Sequence, residues 1–123
     1  MIATLMPDIA VEYSPDDMLL LPDQGKGYEL VKGRLVELET SSLSSFVAGR
    51  LFSKLSVFVD TRQSGWVFPE GTSYQCFDGD LRRVRRPYTS FVLLERLSLE
   101  QVAEEGHLSI VPDLVVEVIS PNE

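Results

Sequence analysis

From Ser41 to about Arg62 apolar residues return every three or four positions, with Leu43, Val47, Leu51, Leu55 and Phe58 forming a stripe that Phe46 and Phe52 widen. That period predicts a long helix. Its stripe, aromatics included, is expected to face the core, with Ser44, Arg50, Ser53, Lys54 and Asp60 on the wet side. Between residues 28 and 38 the pattern is different, and Tyr-Glu-Leu-Val-Lys-Gly-Arg-Leu-Val-Glu-Leu reads as a hairpin turning at Lys32-Gly33. A two-residue turn sets Val31 opposite Arg34 and Glu29 opposite Val36. Glu29 then shares a face with Val31, Val36 and Leu38, while Tyr28 and Leu30 point the other way. A carboxylate on a largely apolar face is either an exposed edge acid or a functional one.

Ser14-Pro15-Asp16-Asp17 opens a shorter helix that ends near Leu21-Pro22. The serine can cap, the proline suits the first helical position, and the acids meet the positive end of the helix dipole. Met18 to Leu21 should pack on the core. Strands are expected at Trp66–Phe77, Val84–Leu94 and Leu114–Ile119, with a turn at Phe77-Asp78-Gly79-Asp80 and a short helix between Glu95 and Glu104, closed by Gly106. Residues 1–13 show neither period and read as a flexible tail before a domain spanning 14–123. His107, the single histidine, stands in a loop with no Cys or second His near it in sequence, so a surface position is expected rather than a metal site.

The run Leu114 to Ile119 is apolar and β-branched, as in a central strand buried on both faces, yet Glu117 stands inside it. Alternation puts Val115, Ile119 and, at the strand entry, Asp113 on the same face as Glu117. An unpaired ionised carboxylate in such a place costs several kcal/mol, so it must be protonated, paired with a base or bound to a cation. A structural pairing would draw on one of Arg82, Arg83, Arg85 and Arg86 at the start of the neighbouring strand; a functional one would mark an active site. Beyond it, Ser120-Pro121-Asn122-Glu123 has the form of a helix-opening capping box, which suggests a chain that stops in mid-domain.

Composition narrows the classes. The 123 residues suffice for one domain, and 44% hydrophobic with 24% charged residues is ordinary for a globular chain. Nineteen acidic against 11 basic residues give a net charge of −8, which argues against a general nucleic-acid coat but leaves room for a local basic patch at Arg82–Arg86. The one cysteine, Cys76, forms no internal disulfide, no apolar run approaches the ~20 residues that span a bilayer, and Met1–Tyr13 lacks a basic signal region. A cytoplasmic protein with no membrane partner is expected.

Three stretches together carry a resemblance: Tyr28 to Glu37, Arg85-Arg-Pro-Tyr-Thr-Ser-Phe-Val92 and Pro112-Asp-Leu-Val-Val-Glu-Val-Ile-Ser-Pro121. The chain resembles the putative restriction endonuclease family of bacteria, in the PD-(D/E)XK nuclease superfamily, from about residue 15 onward. The likeness implies an α/β restriction-endonuclease-like core, a mixed β-sheet flanked by helices with its C-terminal part missing, and metal-dependent hydrolysis of DNA. Mg²⁺ held by carboxylates on substrate phosphate, with a lysine steadying the attacking water, suits the hard oxygen ligands such a family supplies. Carried over, Glu117 would be a catalytic metal ligand, Glu29 an accessory acid and Asp113 a further metal candidate.

The sequence departs from the family at three places. Arg86-Pro87 is followed by Tyr88 where the family has Asp, and a phenol with pKa ~10 is no strong Mg²⁺ ligand. Ile119 stands two after Glu117, where the superfamily has Lys, and the helix to which this family moves that lysine is missing. The reading that follows is a nuclease-like domain with little or no activity. Its alternatives are a nuclease completed by a homo-oligomer, or a non-catalytic module binding a partner or nucleic acid through the arginine cluster.

Overall fold

A computed structural model of the chain describes residues 7–119. The fold is α/β, as expected, with its strands shared between a two-stranded and a three-stranded sheet. Helix α1, Pro15–Leu19, is opened by the predicted Ser14, whose hydroxyl accepts from the Asp17 amide while Asp17 returns a bond to the Ser14 amide. Strands β1, Tyr28–Val31, and β2, Arg34–Glu37, pair antiparallel in the register read from the sequence, Val31 with Arg34 and Glu29 with Val36. Lys32 and Gly33 both take positive φ, 51° and 80°, which the tight hairpin turn requires. One face of this hairpin delivers Leu30 and Leu35 to a core with Met18 and Val84, ringed by Tyr13, Leu21 and Tyr28. Leu20, by contrast, points into solvent.

Of the segment expected to be a tail, residues 1–6 lie outside the described residues, but the end of it is anchored. The Tyr13 amide donates to the Gly33 carbonyl at 2.7 Å, and Arg34 donates to the Ala10 carbonyl.

Helix α2, Ser42–Arg62, starts at Ser41, which forms a reciprocal cap with Ser44. It lies on β3, Gly65–Phe68, and β4, Thr89–Leu93. The period was read correctly and the buried face was not. Ser44, expected to be wet, is 3% exposed and shares the contact face with Ala48 and Val59, whereas Leu43 and Phe46 stand 64% and 61% exposed, and Leu51 and Phe58 are also exposed. Small side chains let the helix approach a narrow sheet closely, and that sheet covers only one side of a wide apolar stripe. Close approach recurs at Gly65, where a Cβ would lie 2.3 Å from the Val92 carbonyl oxygen.

The second sheet has the order β3-β4-β5, all antiparallel, with β5 at Leu114–Val116. Both longer strands predicted upstream are cut by proline, which supplies no N–H: β3 stops before Pro69 and β4 begins after Pro87. Val84 instead bridges Leu30, joining the two sheets. A short turn of helix, Leu94–Arg96, leads to α3, Leu99–Ala103, capped reciprocally by Ser98 and Gln101. The expected central strand is therefore the edge of this sheet among the described residues. Leu114, Val115 and Glu117 are exposed, which corrects the expectation of a carboxylate buried on a two-sided strand.

Candidate functional site

Alternation along Arg82–Pro87 sorts the arginines to different places. The segment runs antiparallel beside β1, with Leu30 and Val84 exchanging amide-to-carbonyl bonds of 2.9 Å in both directions. Arg86, 6% exposed, points inward and ties three segments together. Its Nε donates to the Tyr28 carbonyl at 3.0 Å, one terminal nitrogen to the Gln24 carbonyl at 2.8 Å, and the other to the Gly71 carbonyl. Burial weakens its hold on the proton, an effect opposed by Asp23 and Glu29. Arg82 pairs with Glu12 at the surface, and Arg83 lies over the Phe77 ring. The four positive charges thus form no single basic patch.

Arg85 and the backbone of Arg86 converge on Glu29. The Glu29 carboxylate, on a residue 7% exposed, accepts from Arg85 Nε at 3.0 Å and from the Arg86 amide at 2.7 Å, both at Oε2. Glu29 is therefore a buried, paired acid, on the face of the hairpin opposite the Leu30–Leu35 core. Its burial and pairing remove the exposed-edge reading of that position.

The β4–β5 register places the other acids. Thr89 pairs with Val116, so Tyr88 and Glu117 are the next opposed positions along the ladder, and their side chains share one face. The Tyr88 amide donates to Glu117 Oε1 at 3.3 Å, and the Tyr88 hydroxyl donates to the Glu39 carbonyl at 3.4 Å. At the other end of β5, Asp113 accepts from the Leu93 amide and from Arg96 Nη1, each at 2.8 Å. The Leu93 amide, followed by Arg96, holds its carboxyl below the usual carboxylate range.

Glu29, Asp113 and Glu117 line one cleft of about 350 Å³, with Arg85 the cation in its wall and Tyr74, Phe77, Pro112 and Leu114 among its apolar sides. Tyr88 lies beside the cleft and not in it, facing a small hollow with Glu117, Glu70 and Arg86. Cys76 also reaches the cleft wall, its thiol pushed up by burial and then by Asp78, which disfavours the thiolate. The structure brings the three predicted acids to one place, yet the donor set does not fit a divalent metal. Glu29 and Asp113 are each committed to an arginine and an amide, and among the described residues no group of three acidic, histidine or cysteine side chains could hold an ion.

Sequence reasoning missed two polar assemblies. His107, expected at the surface, is half-buried: Nε2 donates to the Pro15 carbonyl at 2.8 Å, and Nδ1 accepts from the Ser73 hydroxyl at 2.7 Å. Burial keeps this imidazole neutral below its ordinary titration range, with the Pro15 bond acting the other way. Tyr74 and Ser90 are both buried and share a 2.6 Å hydroxyl bond behind the cleft. Isolated Ser, His and Tyr positions carried no spacing signal; only the strand-like alternation of Arg82 to Arg86 could have exposed Arg86 as an inward residue.

The sequence matches the family described as putative restriction endonuclease, Uma2, over residues 15–123. Among solved structures, the crystal structure of a putative nuclease from Anabaena variabilis is similar, with a TM-score of 0.69 and 20% identity. The alignment covers 89% of this chain and 60% of that one, so the chain spans less than two thirds of that protein. At this identity the likeness concerns the fold. No curated protein matches the sequence. No helix among the described residues is long and apolar enough to cross a membrane.

Proposed function

The chain belongs to the putative restriction endonuclease family, and from that premise we propose that it carries a nuclease scaffold for DNA whose cleft, as built here, does not cleave phosphodiesters. The observation that carries the reading is the pair across β4 and β5: opposite Glu117 stands Tyr88, a phenol, where the family places a carboxylate. Nucleases of this fold generally work with a divalent metal, for which two facing carboxylates would be a natural seat. Here one of the pair is missing, and Glu29 and Asp113 are neutralised by Arg85 and Arg96. Ile119 supplies no charge two positions beyond Glu117.

The decisive experiment follows supercoiled plasmid with the purified chain in Mg²⁺. The unaltered protein leaves the plasmid intact, and Tyr88→Asp, which sets a second carboxylate opposite Glu117, raises nicking in a Mg²⁺-dependent manner. Nicking by the unaltered chain that Glu117→Gln abolishes would overturn the reading.

A second reading, a nuclease completed by another copy of the chain, is favoured by the outward Leu43, Phe46, Val57 and Phe58 of α2. Size-exclusion chromatography beside the nicking assay separates the two, because only this reading couples cleavage to an oligomeric fraction. The third reading, a module gripping nucleic acid through Arg82–Arg86, loses support from the dispersal of those side chains.

A further inference from the structure

Within the cleft, one positive charge is placed differently from the rest. Arg96 reaches Asp113 without itself lining the cleft, whereas Arg85 lines the wall beside Glu29, Asp113 and Glu117. The guanidinium is held by its Nε on Glu29, whose second donor at the same oxygen is the Arg86 amide. The amide is fixed by the β1-to-Val84 bridge and by the three carbonyl contacts of Arg86, so Glu29 cannot swing away without breaking that clasp. The side chain of Arg85 is nevertheless 39% accessible and lines the cleft.

Resting on the reading above, that the acids do not form a metal seat, we propose that Arg85 is the resident cation of the cleft and stands in for a divalent ion. A carboxylate fixed in a half-enclosed wall requires a compensating charge. The guanidinium supplies it permanently, and a second cation arriving within a few ångströms meets like-charge repulsion and an acid already satisfied. The chain is then folded and electrostatically complete without metal. Removing the guanidinium takes away one of the two donors on Glu29 and should let that acid take a weakly held cation in its place.

Thermal melts of the full chain in EDTA and in millimolar Mg²⁺ or Mn²⁺, with calorimetric titration of Mn²⁺, test this. The unaltered chain should melt at the same temperature with and without metal and give no saturable heat. Arg85→Met should melt lower in EDTA, regain about two degrees with Mn²⁺, and bind with a dissociation constant on the order of millimolar, since ligand bound only to the folded state raises its stability. Arg85→Met combined with Glu29→Gln should lose both the metal rescue and the heat. Should Arg85→Met not fold in either buffer, Arg85→Gln, which keeps a donor for Glu29, is read in the same way.

A folded Arg85→Met or Arg85→Gln with no response to Mn²⁺ overturns the proposal while leaving the inactive-scaffold reading in place. Saturable Mn²⁺ binding by the unaltered chain that Glu29→Gln abolishes also overturns it. Plasmid nicking by the unaltered chain sinks the parent reading instead.

Discussion

The clasp around Arg86 and the outer flank of β5 and α2 end in opposite states. Each nitrogen of Arg86 meets a carbonyl or carboxylate oxygen, and Leu30, Val84 and Met18 close over one another. On the flank, Leu43, Phe46, Leu114 and Val115 are equally apolar and remain exposed. Hydrophobic periodicity reports that a face is to be covered; the cover itself depends on a neighbour at the right distance. The cleft acids lie between these regions, with Glu29 locked to the closed side and Glu117 on the open one.

The largest expected effect comes from breaking the closed side. Arg86→Met leaves three part-buried carbonyls without their charged donor and should cost roughly 3 kcal/mol, a large part of a domain's usual ~5–15 kcal/mol. Urea unfolding followed by circular dichroism measures it. Next, Tyr74→Phe removes one buried hydroxyl and leaves Ser90 unpaired, with about 1–2 kcal/mol lost in the same assay. At the other extreme, Phe46→Ser on the flank of α2 should change monomer stability by less than about 0.5 kcal/mol. A loss comparable to Arg86→Met there would mean the two regions do not differ as described.

A pH titration sharpens the contrast further. His107 is held neutral in the fold, so its contribution is complete above the ordinary histidine value of about 6.5. It is lost as pH falls from there toward the lower folded value, because the unfolded chain takes up the proton first. Unfolding free energies measured downward from pH 7 should fall, and His107→Gln should flatten that slope. Asp113 acts at more acid pH: its depressed carboxyl stabilises the fold above the usual carboxylate range, and that contribution disappears as pH drops through its folded value. Its exposure makes this the smallest effect.

The hairpin, its register and the starts of α1 and α2 were legible because each rests on local chemistry: Lys32-Gly33 for the turn, Ser14 and Ser41 for the caps. The gathering of Glu29, Asp113 and Glu117 was foreshadowed by alternation and by family likeness. The state of those acids was not. Whether Glu117 is buried depends on the place of β5 in the sheet order, and the Glu29 partners are 56 and 57 residues away along the chain. Arg86 was hidden in a run that reads as a local basic patch, because only its strand neighbours decide which side it takes.

The most direct measurement is a calorimetric titration of Mn²⁺ into the unaltered chain beside Tyr88→Asp. No saturable heat is expected for the former and a measurable binding isotherm for the latter, where Asp and Glu117 face one another across β4 and β5 at a hollow that Arg85 does not line. Saturable binding by the unaltered chain that disappears in Glu117→Gln would contradict it.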